Sequence, residues 1–485
     1  MIRILLLFLP AFYSFPAIGQ WTTATLSQAR WDLGVAAAGA EVLFAGGKTL
    51  AGPSVIPTDR VDIYNRQSLE WTTTTLSQAR ALPYALSMGN KAFFCGGLGT
   101  NDAPTNRIDI YDATSGNWST HQMIQARHDM AAIAHNGKLL LAGGRSSTGG
   151  YSNLVDIYDE ATNLWSTATL SQAREVGAVV AAGNKVFFAG GFNGFLLFNT
   201  VDIYDTQTGA WSTAELVEAR TNLAAASVGS LVLFAGGDYP GQELDASLVA
   251  DVFNTQNNTW SQSNLSQQRA GAIAATLGDR AFFAGGYRNL STGTEFFTTV
   301  DIYQNGAWTS SAISQERIPL QALPLGNKLF FSGDTFIFGN EINTQSIDVF
   351  DANLGWSTAT LSAPRYWARS ATAGNQLYIA GGLSAEGVPS SVVDIFTDQT
   401  VATSEPKHIP WQLYPNPSLG FVTVDISPAA MPAQITLLNI YGQPLQEWTL
   451  TGPKATLDLS GFTPGIYFLK NNQLPGSFRK IVLSK

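Results

Sequence analysis

Eight residues carry side chains suited to holding a ligand: Trp31, Asp32, His128, Asp129, Glu175, Tyr366, Trp367 and Arg369. An imidazole beside carboxylates is the material of general acid–base chemistry. Aromatic rings near carboxylates and a guanidinium suit a sugar or a peptide, each of which has apolar faces and hydrogen-bonding edges. The competing reading is that these residues pack the starts of strands. Metal chemistry has little to work with. The histidines are His121, His128, His135 and His408, three within one repeat and one far downstream, and Cys95 is the single cysteine. That spacing suits neither zinc nor copper, and no cofactor is expected.

A repeat would position these residues. A Trp is followed nine positions later by an Arg at 21/30, 71/80, 118/127, 165/174, 211/220, 260/269, 308/317 and 356/365. A Gly pair closes an apolar run at Gly46-Gly47, Gly96-Gly97, Gly143-Gly144, Gly190-Gly191, Gly236-Gly237, Gly285-Gly286 and Gly381-Gly382, with Ser332-Gly333 in the seventh unit. Val-Asp-Ile-Tyr or a variant follows, its Asp at 62, 109, 156, 202, 251, 301, 348 and 394. A period in this range marks propellers and solenoids.

Each unit reads as four short strands: a small-residue strand after the Arg, an apolar strand ending at the Gly pair, Val-Asp-Ile-Tyr, and a strand opened by Trp. Trp21 has no Val-Asp-Ile-Tyr before it, and Val393-Asp394-Ile395-Phe396 has no Trp after it. The N-terminal strand is therefore expected to complete the last unit, leaving no open edge. Identical residues in every unit point to structure, so function is sought where units differ. The loops after the second strands are long and dissimilar, which makes their face the expected binding surface. It also carries Phe192, Phe195, Phe198, Tyr239, Tyr287, Phe296, Phe297, Phe336 and Phe338, read either as an apolar patch or as loop packing.

Composition narrows the partners. Hydrophobic residues are 45% of the 485, charged residues 13%, and the net charge is −9. That is ample for a core, and an acidic surface disfavours nucleic acid and anionic membrane. One cysteine permits no internal disulfide. Arg3, an apolar run from Ile4 to Phe12 and Ala17-Ile18-Gly19 read as a secretory signal peptide over residues 1–19. No segment is long enough to be a transmembrane helix.

The Gly pair, Val-Asp-Ile-Tyr-Asp and downstream Trp, in this order, resemble kelch repeats. The expected fold is all-β, an eight-bladed kelch-type β-propeller over residues 20–396, then a linker over 397–411 and a small Ig-like β-sandwich over 412–485. Copper-radical oxidases occur on the kelch fold, but the histidines fit them poorly. A sialic-acid epimerase of that class would need only acid–base groups such as His128, Asp129 and Glu175. In the tail, Leu413-Tyr414-Pro415-Asn416-Pro417, Ile440-Tyr441-Gly442-Gln443-Pro444, Leu457-Asp458-Leu459-Ser460 and Pro464-Gly465-Ile466-Tyr467-Phe468-Leu469 resemble the type A sorting domain of the Bacteroidota type IX secretion system. That resemblance implies the secretion machinery as a partner, export across the outer membrane, removal of the tail, and release or surface attachment. The expected function is a secreted or surface-attached module binding a surface glycan or protein. The alternatives are a sugar-active enzyme and a structural matrix component.

Overall fold

The computed structural model of the protein describes residues 19–239, 246–291, 293–316, 318–337, 340–342, 345–399, 411–426, 433–439, 443–471 and 478–484. Residues 1–18 of the expected signal peptide over 1–19, Arg317, Phe338, most of the expected linker with His408, and Ile440-Tyr441-Gly442 lie outside the described residues, whereas Gly19 opens the first described strand. The chain divides into two compact units, Met1–Val401 and Ala402–Lys485.

The first unit is built of antiparallel meanders. Among the described residues it holds seven four-stranded sheets, and an eighth whose four-strand path carries one extra strand, Asn340–Ile342. The first sheet shows the plan. Gly34–Ala38 is innermost, followed by Glu41–Ala45, Arg60–Asn65 and the outermost Glu70–Thr75. Val42 to Ala45 and Val61 to Tyr64 are buried at every position, whereas the outermost strand is mostly exposed. A strand buried on both faces needs a continuous apolar run, which the second strands have. The third strands carry an Asp instead, and that Asp must find a partner.

Packing runs between sheets and returns to its start. Ile63 of the first sheet clusters with Phe94 and Tyr111 of the second, and Phe93 of the second with Leu139 and Tyr158 of the third. The series continues through Phe188, Phe234, Phe283 and Phe331 to Phe330, which packs with Leu377 and Phe396 of the last sheet. Tyr378 and Val393 of that sheet then pack with Phe44 and Tyr64 of the first. The Trp opening each outer strand packs at a tilt or edge-on against the cross-strand aromatic, as Trp71 against Tyr64 at 4.9 Å between ring centroids and Trp211 against Tyr204 at 5.0 Å.

The ends meet by strand pairing. Gly19–Thr25 runs antiparallel to Val392–Asp398, with Trp21 opposite Phe396 and their rings 5.2 Å apart. The Val392–Asp398 strand runs past Phe396, its Thr397 and Asp398 paired with Gln20 and Gly19, and Asp398 is buried against the Lys328 ammonium, 3.1 Å away.

Each recurring Arg among the described residues folds into the sheet that follows it. Arg30 donates to the Phe44 carbonyl at 2.8 Å and pairs with Asp62 at 2.7 Å. The same pair forms in Arg80–Asp109 (2.5 Å), Arg174–Asp202 (2.8 Å), Arg220–Asp251 (2.5 Å), Arg269–Asp301 (2.7 Å) and Arg365–Asp394 (2.5 Å), and between Arg127 and Asp156. All are buried. The other carboxylate oxygen of Asp62 accepts the Ser27 N–H at 2.8 Å, and Asp109 does the same for Ser77 at 2.9 Å. One Asp thus fixes both ends of the crossover between sheets.

The second unit is a two-layer sandwich. Trp411–Tyr414, Phe421–Ile426 and Lys454–Asp458 form one sheet, and Pro444–Leu450, Ala433–Leu438, Gly465–Asn471 and Phe478–Leu483 the other. Val422, Val424 and Leu457 of the first layer share a core with Ile435, Leu437, Leu469 and Ile481 of the second.

Removing one partner of a buried pair strands the other charge. Asp109→Ala should therefore lower the unfolding free energy by about 3–5 kcal/mol, and Arg80→Met with Asp109→Leu should regain most of it. Urea unfolding measures both, and an equal loss in the two variants would contradict this role for the pair.

Candidate functional site

The buried arginines set the positions of the two residues that come after them. The first bridges back to the residue after the Gly pair: Trp31 to Lys48, Ala81 to Leu98, His128 to Arg145, Glu175 to Phe192, Thr221 to Asp238, Ala270 to Tyr287 and Tyr366 to Leu383. The bridge needs a bare backbone. A Cβ on Gly47, at φ 109°, would lie 2.5 Å from the Trp31 carbonyl oxygen, and one on Gly191 1.9 Å from that of Glu175. The second residue turns left-handed at Asp32, Leu82, Asp129, Asn222, Gly271 and Trp367, with φ between 50° and 60°. A constant scaffold thus presents variable side chains around one rim.

A cavity of about 670 Å³ opens within this rim. Its wall comes from the inner strands or their approaches in the seventh, eighth, first, second and third sheets, including Gln321, Leu323, Arg369, Val35, Tyr84 and Ser87. Of the eight residues singled out in the sequence, His128, Asp129 and Arg369 line it. Trp31 is buried, 5% exposed, whereas Trp367 is 37% exposed and packs edge-on against Tyr366 at 5.2 Å.

The polar residues fall into two neighbouring groups. Arg369 reaches across the seam to Asp32 at 3.2 Å. Burial pushes the Asp32 carboxyl above the usual carboxylate range, opposed by Arg369 and then Lys48. In the second group the His128 Nδ1 lies 2.9 Å from Asp129, and Arg145 3.4 Å from Glu175. Burial raises the Glu175 carboxyl, the Asp129 charge raises it further, and Arg145 and His128 oppose them. Burial also raises the Tyr84 phenol, whose oxygen accepts the Met130 N–H at 2.8 Å.

Further round the rim, Tyr287 donates to Asp238 at 3.1 Å and Asn222 donates to the same carboxylate at 3.2 Å. Burial pushes the Asp238 carboxyl up, and burial with the Asp238 charge pushes the Tyr287 phenol up to about 12. Among the described loop aromatics the settings differ: Tyr239 donates to Glu218 at 2.7 Å, Phe297 is buried and Phe195 is 92% exposed. Sequence reasoning missed Tyr84, Arg145, Gln321 and Asp238 as rim or wall residues. Comparing the residue after each Gly pair across the units would have picked out Arg145 and Asp238. Among the described residues no cluster of three metal-ligating side chains occurs, and no helix is long and apolar enough to cross a membrane.

Comparison with known proteins addresses both units. Residues 32–219 match the family described as KLHDC2/KLHL20/DRC7 Kelch-repeats domain, and residues 412–484 match the Secretion system C-terminal sorting domain. Kelch repeats indicate an interaction module, and the sorting domain indicates export to the exterior or the cell surface. A solved structure titled "Structure of YjhT" is 16% identical, with 59% of this chain and 99% of that one covered at a TM-score of 0.40. No curated protein matches this chain.

The Glu175 environment can be tested directly. Asp129→Asn should lower the Glu175 pKa and Arg145→Met should raise it, as read by carbon NMR titration of the side-chain carboxyls. A Glu175 pKa that moves in neither variant would break the link between these groups.

Proposed function

We propose that this kelch-repeat chain with a secretion-system sorting tail is an exported interaction module, and that it binds a surface glycan or protein through its variable rim and central cavity. The observation that carries this reading is the division between constant and variable positions. Buried Arg–Asp pairs repeat from sheet to sheet, while the residues they hold at the rim differ in charge, size and polarity. A pocket with apolar walls and a few placed polar groups is the usual form of a small-ligand site. The signal peptide over residues 1–19 would take the chain to the periplasm, and the tail over 412–485 would take it outward and then be removed. The released and surface-attached forms differ only in the fate of the propeller once the tail is gone.

One observation favours a second reading. Glu175, raised by burial beside Asp129 and near His128, has the environment of an acid–base group in a sugar epimerase. Turnover of a sialic acid by the purified chain, lost in Glu175→Gln, would move the function to that class.

Two outcomes test the main reading. Deleting residues 412–485 should leave the first unit in the periplasm, as cell fractionation would show; normal surface display of the truncated chain would refute the export role. In the full chain, Arg369→Met should weaken binding to a glycan or surface-protein ligand by about tenfold or more with near-UV circular dichroism unchanged. Unchanged affinity would remove the cavity from the site.

A further inference from the structure

The rim carries two large apolar side chains where the backbone disfavours them. Six rim positions turn left-handed, and Asp32, Asp129, Asn222 and Gly271 are residue types that tolerate the turn. Leu82 at φ 50° and Trp367 at φ 57° are not, and each is 37% exposed. They flank Asp32 around the rim, and the Leu82 N–H donates to the Asp32 carbonyl at 2.8 Å. Strain with exposure is a poor bargain for stability alone and is characteristic of ligand sites.

The cavity that Leu82 lines also carries polar side chains. Arg369 pairs with Asp32 at 3.2 Å, and Arg369, Ser370, Gln321 and Ser87 line the cavity. Gln321 and Ser370 are already bonded to each other across neighbouring inner strands, the Ser370 N–H donating to the Gln321 side-chain oxygen at 2.7 Å, so they form a fixed polar strip in an otherwise largely apolar wall. Tyr366 packs edge-on against Trp367 and holds the indole in place.

We propose that Trp367 is a stacking platform for a saccharide ring at the mouth of the cavity, with Leu82 as a second apolar contact and the Arg369–Asp32 pair bonding the ring hydroxyls. A pyranose has an apolar C–H face and a polar edge, matching an indole face beside a charged pair. The cavity takes the end of a glycan, not a flat protein surface. The assignment rests on the reading that the rim binds the ligand, and it names the ligand class.

The test uses the full chain, an oligosaccharide array, and titration calorimetry with the free oligosaccharide that binds best. Trp367→Asn should lower affinity about 30-fold or more. Its unfolding midpoint should stay level or rise by about 1–3 °C as the strain is relieved. Trp367→Phe, keeping an aromatic face, should bind within about fivefold of the parent. Buried Trp31→Ala serves as the contrast, its midpoint falling by about 5–10 °C. A midpoint for Trp367→Asn that falls as far as that of Trp31→Ala makes Trp367 a packing residue and overturns the proposal. Full affinity in Trp367→Asn but not in Arg369→Met overturns the platform and leaves the rim reading standing. A parent chain that binds a protein and no oligosaccharide overturns the ligand class alone. Full affinity in both variants overturns platform and rim together.

Discussion

The first unit depends on a guanidinium buried with a carboxylate at seven crossovers among the described residues. Each of these Arg residues leaves the end of one sheet and enters the next, as Arg30, Arg80 and Arg174 show by meeting a carbonyl of the second strand and the Asp of the third. Burial pulls Arg30, Arg174 and Arg269 below their usual range, with the partner Asp opposing it. A charge in an apolar interior is tolerable only with that partner, so each crossover has one place to sit. Net stabilisation from such a pair is small, because desolvation offsets most of the attraction. The pair's contribution is position.

Position is what a binding rim needs. The Arg fixes the next two residues, and the Gly pair lets the backbone of the adjoining loop close on the first of them. Side chains there can change from Trp to Ala, His or Glu without disturbing the sheets, because their backbone is held from below. Closure adds to this. Pairing of Gly19–Thr25 with Val392–Asp398 brings Asp32 and Arg369, 337 positions apart in sequence, within 3.2 Å.

The sheets were legible in the sequence because their signals repeat: Trp and Arg at fixed spacing, Gly pairs, and Val-Asp-Ile-Tyr. The unmatched Trp21 and the Trp-less last unit pointed to the seam. The rim was legible only in part. His128, Asp129 and Arg369 were recognisable by type, and their place just after the Arg put them at the cavity. Trp31 comes after its Arg in the same way yet is buried, a difference that one chain's spacing does not encode. Gln321 and Tyr84 went unnoticed because a wall residue of an inner strand has no sequence mark beyond an interruption of small residues. Leu82 and Trp367 could be seen as apolar, but their left-handed backbone is a property of the turn.

On this reading ligand chemistry is confined to the rim and cavity, above a scaffold that does none of it. The most direct measurement is a crystal structure of the full chain with its bound ligand. Ligand density is expected in the cavity of about 670 Å³, in contact with Arg369 and His128 or Asp129. Ligand bound on the outermost strands or on the opposite face, with this cavity filled by solvent alone, would contradict it.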